Sequence, residues 1–114
     1  MATGAMWGTQ PLKINYDPAT GALQLQTCGL YSSHQSAILQ THHVCPESWW
    51  RAAGKPVASP LLDLCPVCHY DTHAGIDTLL KDGDISVLRL RVQGLAHKAF
   101  ELAAANGLTP ARTL

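Results

Sequence analysis

The chain has 114 residues, of which 46% are hydrophobic and 14% charged, and its eight Lys and Arg balance eight Asp and Glu. This length suits one domain and excludes two full-sized cores, and the composition excludes a disordered chain. The zero net charge excludes a polybasic tail and argues against DNA binding by charge alone. No apolar run approaches the roughly 20 residues that cross a bilayer. Because residues 1–10 also lack the pattern of a signal peptide, we expect a soluble cytoplasmic protein that is not secreted.

The first third of the chain predicts an arm followed by β-structure. Residues 1–10 carry no periodicity and predict the arm. Apolar side chains then alternate on both sides of Asp17-Pro18-Ala19-Thr20-Gly21, whose Pro and Gly favour a tight reversal, so residues 11–27 predict a β-hairpin. Small polar residues predict a loop over 28–36. A strand is expected over 37–44, where Cys45-Pro46 ends it because Pro cannot continue a ladder.

The remainder of the chain alternates between irregular and periodic segments. Residues 46–60 contain three Pro and predict a long ordered loop. The later segments predict, in order, a short strand at 61–64, a Cys-x-x-Cys knuckle at 65–68, a helix at 69–81, a weak strand at 85–92 and a strong helix at 95–106. The expected fold class is therefore α+β in one domain, with an arm and hairpin (1–27), a core (28–81) and a C-terminal extension (82–114).

Cysteine and histidine are the unusual component. The chain holds four Cys and six His, and nine of these ten residues lie between Cys28 and His73. Without a secretion signal, disulfides are a less favoured interpretation, and free buried thiols are another. Interleaved Cys and His with one Cys-x-x-Cys pair favour metal binding.

The spacing of four histidines predicts how they divide their roles. On a helix, His69 and His73 project from one face and suit two ligands of one ion. On a strand, His42 and His43 point to opposite faces, so one can bind the ion while the other faces a substrate. Three His ligands with an open position are typical of a catalytic metal site. The fourth His is then available as a general base.

The motif order resembles that of a known enzyme family. His-His-x-x-Pro, a long loop, a short strand and Cys-x-x-Cys-His-x-x-x-His are similar to the HNH (His-Me finger, ββα-metal) endonucleases, especially small phage-type members with a zinc knuckle. The resemblance covers roughly residues 28–80. It implies a treble-clef-like ββα-metal zinc-binding core, carrying an N-terminal hairpin and a C-terminal helix.

The resemblance also implies site roles and a function. His42, His69 and His73 would bind a divalent ion (Mg²⁺, Mn²⁺, Ni²⁺ or Zn²⁺), and His43 would deprotonate a water that attacks a DNA phosphodiester. The implied partners are DNA and phage terminase or other virion and packaging proteins, in the host cytoplasm or the virion. The chain departs from the family at the middle letter, because Ser59 or Pro60 stands where an Asn is usual.

A second, structural zinc site is expected beside the first. Cys65 and Cys68 form one half of it, and Cys28 is the third ligand. The fourth is either His34 or Cys45. Antiparallel pairing of the two predicted strands favours His34, because Cys45 lies about 15–20 Å along the strand at roughly 3.3 Å per residue.

Other interpretations of the same residues remain open. One closed zinc site could combine Cys65 and Cys68 with His69 and His73, and the strand histidines could instead bind backbone carbonyls. Either case would favour a catalytically inactive, zinc-stabilised structural or interaction protein, conceivably a virion component.

Contacts with DNA are predicted only weakly. The best-placed cations are Arg51 and Lys55 in the long loop, while Arg89 and Arg91 share a face of the weak strand.

The pair Trp49-Trp50 is predicted to be a hydrophobic staple for the loop and not a base-stacking platform. His97 is expected at the surface.

Overall fold

A computed structural model describes residues 12–54 and 59–110. The predicted N-terminal arm and Lys55 therefore lie outside the described residues. The elements are β1 (Leu12–Ile14), β2 (Gln26–Thr27), β3 (Gln35–Ser36), β4 (Ile38–His43), α1 (Glu47–Ala52), β5 (Leu61–Leu64), α2 (Pro66–Leu80) and α3 (Leu90–Ala105). The protein is thus α+β, as predicted. None of the helices in the described ranges has both the length and the apolarity that a membrane crossing requires.

The larger sheet places β4 at its centre. Three antiparallel strands lie in the order β1-β4-β5. In the register of β4 with β5, His42 lies opposite Leu62 and His43 opposite Leu61. Both strands fall where the sequence predicted them, with β4 two residues shorter than expected. The two consecutive histidines consequently stand on opposite faces of a central strand.

The N-terminal hairpin differs in part from the prediction. The reversal is present, since the Asp17 N–H donates to the Ala22 carbonyl at 2.8 Å and Tyr16 bridges Leu23. Instead of continuing that pairing, β1 joins β4, and β2 pairs with β3 in a second small sheet. Alternation in the sequence identified β1 but could not specify its partner, which is the central strand of the larger sheet.

The helices differ from the prediction at three places. The predicted loop over 46–60 contains α1, and α2 begins at Pro66 instead of at residue 69. Pro at the first helical position is favourable because its missing N–H would have no helical partner there. The predicted strand over 85–92 is wrong: a turn closes with Leu88 N–H donating to Ile85 at 2.9 Å, and α3 starts at Leu90.

Small residues allow α2 and α3 to approach closely. A Cβ added to Gly75 of α2 would lie 3.2 Å from the Cβ of Ala96 in α3. Ala96 is fully buried with Ile76 and Ile85 in one hydrophobic cluster. Against its edge, Trp49 of α1 packs edge-on to Phe100 of α3, with ring centroids 5.1 Å apart. For Trp49, this contact agrees with the hydrophobic staple that the sequence predicted for the pair Trp49-Trp50.

Cysteines form much of the second hydrophobic cluster, which lies between the sheet and the start of α2. Its buried members are Cys28, Leu39, Leu64, Cys65 and Cys68. The segment carrying Cys28 is held against β5, because the Gly29 N–H donates to the Asp63 carbonyl at 2.9 Å. A Cβ on Gly29 would come within 2.7 Å of that carbonyl oxygen and 2.9 Å of Leu62 Cδ1. Only glycine fits this approach.

We predict that Gly29→Ala destabilises the protein by about 1–3 kcal/mol, because backbone atoms must move to admit the methyl group. Gly94→Ala is the matched control: Gly94 lies within α3, and a methyl group added there would have no neighbouring atom within 4 Å, so alanine should stabilise by roughly 0.5–1 kcal/mol. Urea unfolding of both variants measures the two effects. Equal stability of Gly29→Ala and the wild type would contradict the close packing of this segment.

Candidate metal centres

Three cysteines and one histidine converge at the start of α2. The group consists of Cys28, His34, Cys65 and Cys68, whose ligand atoms all lie within 4.8 Å of one another. Cys28 follows β2 and His34 precedes β3, and a hydrogen bond of 2.9 Å from the Cys28 N–H to the His34 carbonyl closes the loop between them. Cys65 caps α2 and Cys68 lies in its first turn. Thiolates and an imidazole at this spacing could hold a metal ion such as zinc.

The thiols of this group differ in how easily they ionise. Burial opposes ionisation of Cys28, but N–H groups of Cys65 and Leu30 point at its sulfur from 3.4 Å, and its pKa falls below the ordinary value. Burial raises the pKa of Cys68 to about 12. A bound metal ion would favour the thiolate form of Cys68 against this effect of burial.

Arg89 connects this group to the C-terminal helix. From the N-cap of α3, its guanidinium donates to Cys68 Sγ at 3.4 Å and to Asp71 at 3.0 Å, and it lies 4.8 Å from the centroid of the Tyr31 ring. A dipositive ion with three thiolates and one neutral imidazole leaves one net negative charge. Arg89 opposes that charge while fixing the start of α3 beside α2.

Three buried histidines form a second group on the other side of α2. The ligand atoms of His42, His69 and His73 lie within 4.8 Å of one another. The Nε2 atoms of His69 and His73, one helical turn apart, are separated by 3.0 Å. His42 reaches them from β4, with its ring centroid 5.2 Å from that of His69 and 5.0 Å from that of His73. Strand alternation and helical pitch together bring the three imidazoles to one point.

Burial keeps these imidazoles neutral. It lowers the pKa of His42 and of His73 to about 3 and that of His69 to about 4, and neighbouring histidines add to the effect in all three cases. Neutral rings offer the lone pairs that a metal ion requires. Since unfolded histidines titrate near 6.5, the unfolded chain binds more protons than the metal-free folded chain below that pH. Acidification from pH 6.5 towards 3 therefore destabilises the fold.

His42 gives an independent reason to expect an ion here. Its side chain is fully buried, and neither of its ring nitrogens has a hydrogen-bond partner among the described residues. A buried polar group left without a partner costs about 1–3 kcal/mol. A metal ion bound by His42, His69 and His73 would satisfy one of these nitrogens. The chemistry of the three side chains therefore suits a bound metal ion.

His43 lies next to this group but faces elsewhere. Its side chain is 17% exposed, and its Nε2 atom lies 3.9 Å from a carboxylate oxygen of Glu47 in α1. The same Glu47 oxygen is 3.3 Å from the guanidinium of Arg51. His43 therefore faces α1 and its carboxylate, on the opposite side of β4 from the three buried histidines.

The structure separates residues that the sequence left as alternatives. Cys45, the other candidate for fourth ligand, is buried but belongs to neither group, and burial raises its pKa. Cys65 and Cys68 do not share a group with His69 and His73. His42 is not held by a backbone carbonyl of the described residues.

The arginines that the sequence suggested for DNA contact lie on two different helices. Arg51 lies on α1 with its side chain 73% exposed. The expectation that Arg89 and Arg91 share a strand face is wrong, because Arg89 caps α3 and Arg91 lies within it, donating to the Leu30 carbonyl at 2.9 Å. His97 is exposed on α3, as expected.

Contacts with the two Cys and His groups were not predicted for Gln40 or for Arg89. Gln40 shares a hydrogen bond of 2.7 Å with His69 Nδ1. Strand alternation could have identified it, since it lies two residues before His42 and therefore on the same face. Arg89 gave no such signal, because its position depends on how α3 packs against α2.

Comparison with known proteins identifies no relative: no protein-family model matches the chain, and neither a curated protein nor a solved structure matches it. The function is therefore argued from the geometry of the two Cys and His groups.

We predict that Cys28→Ala loses the ion of the cysteine-rich group and unfolds at a lower temperature, since structural zinc contributes folding energy directly. Cys45→Ala is the matched control, because Cys45 is equally buried but belongs to neither group. Metal content by mass spectrometry after dialysis against a weak chelator, with thermal unfolding, makes the comparison. Loss of the ion from Cys45→Ala and its retention by Cys28→Ala would show that the ligand set is wrong.

Proposed function

We propose that this protein is a metal-dependent endonuclease of the HNH type, which hydrolyses phosphodiester bonds in DNA. The observation that carries the proposal is the convergence of His42 with His69 and His73, next to a fourth histidine that faces away from them. A purely structural ion would not need these four histidines in addition to a separate group of three cysteines and one histidine.

The order of elements supports the family resemblance. Strand β4 carries the His pair, a loop with α1 leads to β5, and α2 carries the two histidines spaced by one turn. We infer that β4, β5 and α2 are the ββα-metal unit and that the cysteine-rich group is its zinc knuckle. The small β2–β3 sheet and the start of α2 together present the knuckle ligands, in the manner of a treble clef.

The proposed chemistry divides between the ion and His43. Held by His42, His69 and His73, a divalent ion (Mg²⁺, Mn²⁺, Ni²⁺ or Zn²⁺) would polarise the scissile phosphate and stabilise the leaving 3′-oxygen. His43 takes a proton from water as the water oxygen bonds to phosphorus. The bond from phosphorus to the 3′-oxygen then breaks, and the 3′-oxygen gains a proton from solvent. Glu47 stabilises the His43 imidazolium that forms.

Ser59 compensates in part for the missing Asn. It is buried, and its hydroxyl donates to the Cys45 carbonyl at 2.9 Å, while the Val44 N–H donates to the Pro60 carbonyl at 2.9 Å. These bonds tie the two ends of the segment that runs from β4 to β5. A residue that anchors this segment keeps α1, and with it Glu47, beside His43.

We propose that most of the affinity for DNA comes from a partner protein. The net charge is zero, and the exposed Arg51 is paired with Glu47, so autonomous binding should be weak and salt-sensitive. Phage terminase or another packaging protein, working with this chain in the host cytoplasm or on the virion, would supply the missing affinity.

The second candidate function is a catalytically inactive, zinc-stabilised structural or interaction module, such as a component of a virion. The neutral charge and the absence of the usual Asn favour it. It requires the cysteine-rich group alone, so it makes no use of His43 or of its pairing with Glu47. Cleavage assays therefore separate the two functions.

We predict that plasmid DNA is cleaved in the presence of Mg²⁺, Mn²⁺ or Ni²⁺ and that His43→Ala lowers the rate by about 10²–10⁴-fold, the usual contribution of a general base. His97→Ala should cleave as the wild type does, because His97 is an exposed histidine on α3. Metal content and folding should be unchanged in both variants.

The assay uses low ionic strength and a large excess of protein over plasmid, because unaided DNA binding is expected to be weak and salt-sensitive. Failure of the wild type to cleave under these conditions with any of these ions, with both metal groups loaded, would overturn the nuclease proposal and favour the structural module. Equal activity of His43→Ala and the wild type would remove His43 from its assigned role.

A further inference from the structure

Gln40 contacts the histidine group through a single short hydrogen bond. Its side-chain amide oxygen lies 2.7 Å from His69 Nδ1. Gln40 and His42 are two residues apart on β4 and therefore project from the same face of the sheet, towards α2. The register places Gln40 opposite Leu12 of β1 and Leu64 of β5, so the residue lies on the central strand between two neighbours.

The direction of this bond follows from what His69 must do to bind an ion. The Nε2 atom of His69 faces His73 Nε2 at 3.0 Å and is the nitrogen turned towards the group. A neutral imidazole has one N–H, and the nitrogen that binds an ion must carry the lone pair. The proton then sits on Nδ1, which donates to the amide oxygen of Gln40.

We propose that Gln40 is a positioning residue for the metal centre: its amide oxygen holds the His69 proton on Nδ1 and so turns the Nε2 lone pair towards the ion. This proposal rests on the metal site of the proposed function but not on DNA cleavage. Partners of this kind orient metal-binding histidines and raise their basicity, and their removal typically costs about 10–100-fold in metal affinity.

The surroundings of Gln40 decide which substitution tests this role. The side chain lines a cavity of about 230 Å³ together with Pro66, His69 and Tyr70. A small residue at position 40 would let water enter and accept the Nδ1 proton in place of the amide. Leucine fills a similar volume without an acceptor. Glutamate has a side chain of the same length as glutamine and keeps an acceptor oxygen at its end.

The experiment titrates Ni²⁺ into protein already loaded with one equivalent of Zn²⁺, using calorimetry on the full chain. Gln40→Leu should weaken Ni²⁺ binding by about 10–100-fold, whereas Gln40→Glu should bind within a few-fold of the wild type or more tightly. Gln24→Leu is the matched control, because Gln24 is exposed on the N-terminal reversal and should bind Ni²⁺ as the wild type does.

A second readout reports on His69 itself. Long-range ¹H–¹⁵N NMR before Ni²⁺ is added should place the His69 proton on Nδ1 in the wild type and in Gln40→Glu. In Gln40→Leu the proton should move wholly or partly to Nε2. A general loss of packing would not produce this change of tautomer, and circular dichroism checks that each variant is folded.

Wild-type affinity and an unchanged His69 tautomer in Gln40→Leu would overturn the proposal. If Gln40→Leu does not fold, Gln40→Glu decides: loss of affinity or of the Nδ1 proton in that variant overturns it. A protein that shows the predicted Ni²⁺ and NMR effects but never cuts DNA would overturn the nuclease and leave the role of Gln40 standing.

Discussion

The N-terminal half of α2 carries Cys and His side chains that could bind metal ions in two directions. Successive helical residues point about 100° apart, so Cys68 and His69 project to different sides, whereas His69 and His73 share a side. Together with Cys65 at the N-cap, Cys68 meets the loop between β2 and β3. His69 and His73 meet β4. The loop between β2 and β3 therefore lies on one side of α2, and β4 lies on the other.

Buried Cys and His residues occupy positions that large apolar residues would otherwise fill. It has one Phe, and three of the five buried members of one hydrophobic cluster are cysteines. Small domains with few large apolar residues are commonly stabilised by metals or disulfides. Here burial of the three histidines disfavours their charged forms, and burial of Cys68 disfavours its thiolate. A bound cation would stabilise the Cys68 thiolate directly. A cation in the other group would accept the lone pairs of the three neutral histidines.

What the sequence predicted well depended on local periodicity. The two-residue repeat of a strand separated His42 from His43, and the turn of a helix joined His69 to His73, so the division into two groups could be anticipated. The antiparallel register of β4 and β5 likewise favoured His34 over Cys45. These arguments use backbone geometry alone, which does not depend on the rest of the molecule.

What the sequence did not predict depended on tertiary packing. Residues 85–92 alternate weakly, yet no strand of the described residues pairs with them, and α3 starts at Leu90 because Arg89 is fixed by Cys68 and Asp71. The helix α1 forms within a Pro-containing segment where Trp49 reaches Phe100. Both depend on contacts between different secondary-structure elements, which a short window of sequence cannot show.

X-ray absorption spectroscopy on protein loaded with one equivalent each of Zn²⁺ and Ni²⁺ tests most directly whether α2 serves two separate metal centres. Two centres require a zinc shell of three sulfurs at about 2.3 Å and one nitrogen at about 2.0 Å. The nickel shell should contain only nitrogen and oxygen, with the multiple scattering of imidazole rings. Sulfur in the nickel shell, or a zinc shell of two sulfurs and two nitrogens with no second ion bound, would contradict two centres and indicate one shared site.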